Sequence, residues 1–284
     1  MFRPLMEADF PAAAALLAEG FPNRSLAFWE SGLNRLRVHA RNQEAGVPLG
    51  LLLQHEGQLA GVALMPASLR QRADGSRYPL VNVSSWYVRP EHRLRAAPML
   101  RAMVADKRCA YIDLTPTEEV RRMLPLFGFK TVNAGTTVGV LPLLALGSAA
   151  AARIRPLRAD DVLPAQAPPL EMLLAHRELD CESVLLEHEG GQTLFVYRSR
   201  PVRRLPAARL KYIGSHAVMQ RCLPVLARHL LARGFLLMSW DTRGTDAPST
   251  ASLRRRPGGL WFARGETFDD VTDFIGTELC ILGV

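Results

Sequence analysis

The run Ser84-Ser85-Trp86-Tyr87-Val88-Arg89-Pro90-Glu91-His92-Arg93-Leu94-Arg95-Ala96-Ala97-Pro98 is the distinctive stretch of the chain, where hydroxyl, phenol, imidazole and guanidinium groups stand close together. Its pattern is an apolar strand stopped by Pro90, a short basic turn and the start of a helix. Such a junction aims spare backbone N–H groups and the positive helix end at one point, which suits a phosphate or pyrophosphate. Arg93 and Arg95 add guanidinium groups there. Strand alternation places Ser85 and Tyr87 on one face, Ser84 and Trp86 on the other. Ser85 could orient an acceptor or a water, while Tyr87 and Tyr111 could give a proton. Glu30, Glu118 and Glu119 could take one, although each also reads as a solvated helix-face charge. The chain has no GxSxG run, phosphate-binding glycine loop or HExxH.

The elements needed to position this run are legible from periodicity and punctuation. Strands are expected at 2–5, 51–55, 59–67, 80–88, 110–114, 129–132 and 138–143. Helices are expected at about 12–18, 26–36, 95–105 and 118–127, with Ser25 and Gly128 as caps. In the second half, strands are expected at 153–157, 184–188, 193–197, 209–213, 235–240, 260–264 and 277–282. One long helix is expected at 216–232, and the stretch 242–256 reads as a loop.

The two halves echo each other. Leu52-Leu53-Gln54-His55-Glu56-Gly57-Gln58 reappears as Leu185-Leu186-Glu187-His188-Glu189-Gly190-Gly191-Gln192, and Arg3-Pro4-Leu5 with Asp9 reappears as Arg155-Pro156-Leu157 with Asp161. Such repeats indicate one domain type used twice, giving domains at 1–146 and 153–284 joined by a Gly147–Ala152 linker. His55 and His188 then occupy equivalent structural turns. The second copy lacks the Pro-Glu-His-Arg run; its Gly214-Ser215 reads as an ordinary cap. It is expected to be a degenerate copy.

The 284 residues suit two domains, and 48% of them are hydrophobic, as in globular proteins. The four cysteines have neither CxxC spacing nor a zinc pattern, so no metal is expected and the compartment reads as cytoplasmic. No apolar run is long enough to span a bilayer. The net charge of +8 favours anionic partners. The arginines at 200–209 and 254–256 lack interleaved aromatics, which argues against nucleic acid.

Val88-Arg89-Pro90-Glu91-His92-Arg93, followed by a strand, a helix and Gly128-Phe129, resembles the GNAT acyltransferase superfamily. The resemblance implies a mixed-sheet α/β (α+β) fold, here as two tandem GNAT-like domains. It also implies that an acyl-CoA, such as acetyl-CoA, lies in a gap beside a splayed strand. The cofactor positions it implies are Trp86, Tyr87, Val88, Arg93, Leu94, Arg95, Ala96, Ala97 and Thr117, and the catalytic candidates beside them are Ser85, Tyr87 and Tyr111. The implied activity is acyl transfer to an amine of a small molecule or sugar. The alternatives are an inactive binding or regulatory module and an acyltransferase that takes its acyl group from an acyl carrier protein. A homodimer is compatible with all three. The departures are specific: Ala96 and Pro98 stand where the family has glycines, and Leu124 replaces its tyrosine acid.

Overall fold

The computed structural model describes residues 1–284 except 44, 73, 149–150, 165, 244–249, 251, 269 and 284. In chain order the elements are β1 (Phe2–Pro4), α1 (Phe10–Gly20), α2 (Leu26–Gln43), β2 (Gly50–His55), β3 (Gln58–Leu64), β4 (Ala67–Gln71), β5 (Arg77–Asn82), β6 (Ser84–Val88), α3 (Ala96–Met103), β7 (Ala110–Asp113), α4 (Glu118–Met123) and β8 (Lys130–Thr131). There follow β9 (Thr136–Val140), α5 (Leu141–Ala145), β10 (Ala152–Pro156), α6 (Leu170–Ala175), β11 (Cys181–His188), β12 (Gly191–Ser199), β13 (Ala207–Ile213), α7 (His216–Arg221), α8 (Leu223–Ala232), β14 (Leu237–Asp241), β15 (Leu253–Arg256), β16 (Phe262–Arg264), β17 (Thr272–Asp273) and α9 (Glu278–Ile281). These make two units. One comprises Met1–Lys130, Trp261–Thr267 and Gly276–Val284; the other comprises Thr131–Leu260 and Phe268–Ile275.

In the first unit β3 and β4 are nearly one strand, interrupted at Met65-Pro66, and β5 and β6 are nearly one, interrupted at Val83. The two interruptions face each other, with the Asn82 N–H donating to Pro66 O at 2.8 Å. The paired strands therefore pass from one sheet to another at a single level. One sheet runs β1-β2-β3-β6, and the other carries β4-β5-β7 with β16 beyond β7. β5 runs parallel to β7, Leu80 opposite Ala110 and Asn82 opposite Ile112, and Val83 N–H still reaches Ile112 O at 2.8 Å. Past Val83 the strands part. β6 is paired with β3 alone among the described residues.

The helices α1 and α2 close one face of the first sheet. Leu16, Leu17, Trp29, Leu33 and Leu36 meet Leu52, Val62 and Leu64 there, with Ile281 and Leu282 from the chain end in the same core. Burying such a leucine contributes roughly 1.5–3 kcal/mol.

The second unit is built on the sheet β10-β11-β12-β13-β14-β9-β15. Its core sets Phe195, Tyr197 and Trp240 against Met219, Leu226 and Leu230 of α7 and α8. The sequence echoes fold alike in both units. Arg3 pairs with Asp9 at 2.7 Å, and Asp9 also accepts the Met6 N–H at 3.0 Å. Arg155 pairs with Asp161 at 2.8 Å, and Asp161 accepts the Arg158 N–H at 2.6 Å. His55 opposes Gln58 and His188 opposes Gly191, each across a two-residue hairpin turn.

Several expected elements changed place. The strand expected at 138–143 is β9, which lies between β14 and β15 in the second unit. The strand expected at 260–264 is β16, which pairs with β7 in the first unit, Phe262 opposite Asp113. The strand expected at 277–282 is the one-turn helix α9, also of the first unit. Such pairings between distant segments leave no trace in local periodicity. The long helix breaks at Cys222 into α7 and α8, ahead of Pro224. The expected 242–256 loop contains β15; its residues 244–249 and 251, and Ala149 and Ala150 of the expected linker, lie outside the described residues.

Candidate active site

β6 carries a bulge. Leu64 opposes Ser84 and Val62 opposes Tyr87, so β6 has one residue more than β3 over this span. Ser85 absorbs it with φ +45°, a left-handed conformation that serine rarely takes. Strain of this kind costs about 1–3 kcal/mol and persists only where the surroundings impose it.

The bulge breaks the alternation expected for this strand. Ser84, Ser85 and Trp86 all line one cavity, of about 450 Å³, while Tyr87 does not. Tyr87 packs instead on α1, where Gly20 leaves room for its ring. Its hydroxyl donates to Glu19 at 3.0 Å, and Arg89 holds the same carboxylate at 3.0 Å. Tyr111 is also away from the cavity; it is 2% exposed and its hydroxyl donates to Asp106 O at 2.9 Å. Burial raises the pKa of both phenols. Of the expected catalytic residues, the structure brings only Ser85 to the cavity.

The cavity lies where β6 leaves β7. Gly20, Phe21 and Trp29 form one side; Asp113, Thr115, Pro116 and Thr117 form another, with Glu278 at its base. Glu278 is fixed from three directions. Its N–H donates to Asn82 Oδ1 at 2.9 Å, Thr115 Oγ1 donates to Oε1 at 2.6 Å, and Ser84 Oγ donates to Oε2. Asn82 in turn donates to Val83 O at 3.1 Å and Ile112 O at 3.3 Å, pinning the point of divergence. Asp113 ends β7 almost fully buried. Desolvation holds its carboxyl well above the ordinary range, Glu278 adds to the rise, and the Thr115 N–H and Arg121 oppose it. Trp29, 2% exposed, and Trp86 each keep an indole N–H without a partner among the described residues.

The basic turn, Pro90–Arg95, is a 3-10 helix leading into α3. The His92 N–H of the turn donates to Arg89 O at 2.9 Å, and the Ala96 N–H at the start of α3 donates back to Arg93 O. Arg93, Leu94 and Arg95 are exposed, Leu94 to 94%; Ala96 and Ala97 are half-buried and Val88 is buried at the strand end. Thr117 lines the cavity and caps α4, accepting the Val120 N–H at 3.4 Å. Leu124 is fully buried. Among the expected cofactor positions, Trp86 and Thr117 meet at the cavity, and the others follow β6 into the turn.

The second unit has a comparable parting of strands, filled by its own chain. β13 pairs in parallel with β14 only over Ala207–Arg209. Beyond that, β17 takes its edge, Tyr212 opposite Asp273 and Ile213 opposite Thr272. Asp270 occupies the start of α7; its carboxylate accepts from Ser215 Oγ at 2.6 Å and from Ala217 N–H at 3.0 Å.

Asp113, Glu278, Asn82 and Trp29 were not picked out from the sequence. Asp113 was visible only as a strand terminus, and Glu278 sits far along the chain with no motif around it.

No family model matches the chain, and none of the curated proteins does. Solved structures do. A GCN5-related N-acetyltransferase from Anabaena variabilis is 14% identical at a TM-score of 0.60, covering 93% of this chain and 72% of its own. One from Kribbella flavida is 13% identical at 0.56, covering 95% and 71%. Eis1 from Mycobacterium abscessus is 16% identical at 0.54, covering 92% and 73%. With the divergence of β6 from β7, the bulge at Ser85 and the cavity between, these likenesses make the fold of this chain that of the GCN5-related N-acetyltransferases.

Proposed function

We propose that the first unit transfers an acyl group from an acyl-CoA to an amine of a small molecule or sugar. The observation that carries this is the unpaired side of β6, which opens onto the cavity and leads into the arginine-bearing turn. An extended thioester arm fits such an edge, because strand backbone groups facing away from β3 are there to bond it. The cavity is also of small-ligand size. Arg93 and Arg95 hold the diphosphate, beside Ala96 and Ala97 at the start of α3. Trp86, Tyr87, Val88 and Leu94 flank the arm, Thr117 borders it, and Ser85 orients the reacting end. With leucine at 124, the departing thiolate takes its proton from the cavity or solvent. The second unit, whose gap is filled by β17 and Asp270, does not bind the donor.

Isothermal titration with acetyl-CoA tests this. The expected result is one site per chain, weakened tenfold or more by Arg93→Ala. Absence of saturable binding, or two equal sites per chain, contradicts it.

A further inference from the structure

The turn between α1 and α2 brings a cation to the wall of this cavity. Arg24 lines it, and among the described residues its guanidinium meets an aromatic ring and no carboxylate. The turn fixes its place. The Arg24 N–H donates to Phe21 O at 2.9 Å, and the Phe28 N–H donates to Ser25 Oγ at 3.2 Å as α2 begins. The guanidinium lies over the Phe28 ring, 4.8 Å from its centroid. Phe28 meets Trp29 edge-on at 5.1 Å, and Trp29 meets Phe21 at 5.4 Å. A cation held on such a stack loses less freedom on binding than one on a free stem. Glu19 of α1 does not neutralise it, because Arg89 and the Tyr87 hydroxyl hold that carboxylate. Independently, Trp29 on the same wall is 2% exposed, and its buried indole N–H has no partner among the described residues. A buried donor in that state is costly, so a ligand that brings an acceptor is favoured here. A guanidinium and an indole give hydrogen bonds and take none. The group that complements both is rich in lone pairs and negative, which describes an oxyanion. The carboxyls of the lining stand elsewhere, Asp113 at the end of β7 and Glu278 at the base.

We infer that Arg24 and Trp29 select the acceptor, and that the acceptor is an amine bearing an oxyanion, a carboxylate or a phosphate monoester, away from its reacting nitrogen. This rests on the acyl-transfer reading and narrows its substrate class. The donor's own diphosphate lies beyond the other end of β6, at Arg93 and Arg95, and makes no call on this wall. The oxyanion takes no part in the chemistry. The amine nitrogen bonds to the thioester carbon, the C–S bond breaks and one N–H proton ends on the sulfur, so an amine and a thioester give an amide and a thiol. The guanidinium and the indole hold the far end of the acceptor, which sets where its nitrogen sits.

The test uses the full chain, with Arg24→Gln as the first variant because Arg24 is exposed and its loss spares the core. Trp29→Phe, which keeps a ring and removes the N–H, is the second. Three amines share a two-carbon arm and differ at its end: ethanolamine, β-alanine and 2-aminoethyl phosphate. Thiol release from acetyl-CoA is followed with each. At least one of the two oxyanion amines is expected to exceed ethanolamine in kcat/KM by about tenfold, as for a hydrogen bond to a charged group. The better of the two tells carboxylate from phosphate. Arg24→Gln is expected to remove most of that preference through KM, with ethanolamine and the acetyl-CoA affinity within about twofold of wild type, and Trp29→Phe to reduce it. Added salt is expected to raise KM for the oxyanion amine alone. If acetyl-CoA does not bind, the acyl-transfer reading falls, and titration of the chain with β-alanine and 2-aminoethyl phosphate decides the site by tryptophan fluorescence, Trp29 and Trp86 both being on the lining. Saturable binding that Arg24→Gln weakens about tenfold then supports it, and no saturable binding overturns it. Ethanolamine or spermidine used as well as both oxyanion amines, an undiminished preference in Arg24→Gln, or a loss of acetyl-CoA affinity as large as the loss for the amine, also overturns the inference.

Discussion

Asp113→Asn separates the electrostatics of the cavity from its shape. The wild-type carboxyl is 6% exposed and, through burial and the neighbouring Glu278 charge, keeps its proton in the folded chain above the ordinary carboxylate range. The unfolded chain loses that proton near pH 4. The stability associated with the protonated carboxyl is complete below that pH and is lost as the pH rises toward the folded-state value. Asparagine does not titrate, and its side-chain oxygen can still accept from the Thr115 N–H. The variant is therefore expected to gain on wild type as the pH rises. A buried polar group left wanting costs about 1–3 kcal/mol, and 1 kcal/mol shifts melting by roughly 2–4 °C in chains of this order of size. Melting curves at pH 4.5 and pH 8 would then show the variant several degrees higher relative to wild type at pH 8 than at pH 4.5. An equal difference at both values, or a larger deficit at pH 8, would refute the reasoning.

Gly20→Ala would place a methyl group 2.8 Å from Tyr87 Cβ and closer still to its ring; overpacking of about 1–3 kcal/mol is expected, read as a lowered melting temperature. Arg209 and Asp241 form a pair at 2.5 Å with side chains 13% and 2% exposed. Arg209→Ala, which strands the aspartate, is expected to cost about 3–5 kcal/mol, whereas Arg209→Met with Asp241→Leu recovers most of that in urea unfolding. Asp270→Ala removes the acceptor at the start of α7, with an expected loss of about 1 kcal/mol and no change in acetyl-CoA affinity.

The sequence was most informative where structure is local. The hairpins at His55 and His188, the Arg3–Asp9 and Arg155–Asp161 pairs and the helix after the basic turn all follow from neighbours in the chain. The stop at Pro90 and the cap at Gly128, with φ +81°, belong to the same class. What stayed hidden was set by distant partners. One inserted residue at Ser85 turned Tyr87 from the cavity toward α1, and strand alternation cannot foresee a bulge. Glu278 reaches the cavity only because the chain returns to the first unit after β17. Its local sequence, Thr277-Glu278-Leu279-Cys280-Ile281, reads as plainly apolar with one charge. Asp113 resembled any strand terminus until the parting of β6 from β7 put it on a cavity wall.

The central claim is that the acyl donor lies along the unpaired side of β6. A crystal structure of the chain grown with acetyl-CoA tests it most directly. The account predicts one bound molecule per chain, its diphosphate at Arg93–Ala97 and its thioester beside Ser85 and Trp86. Density for the donor only in the second unit, or an empty cavity at saturating concentration, would contradict it.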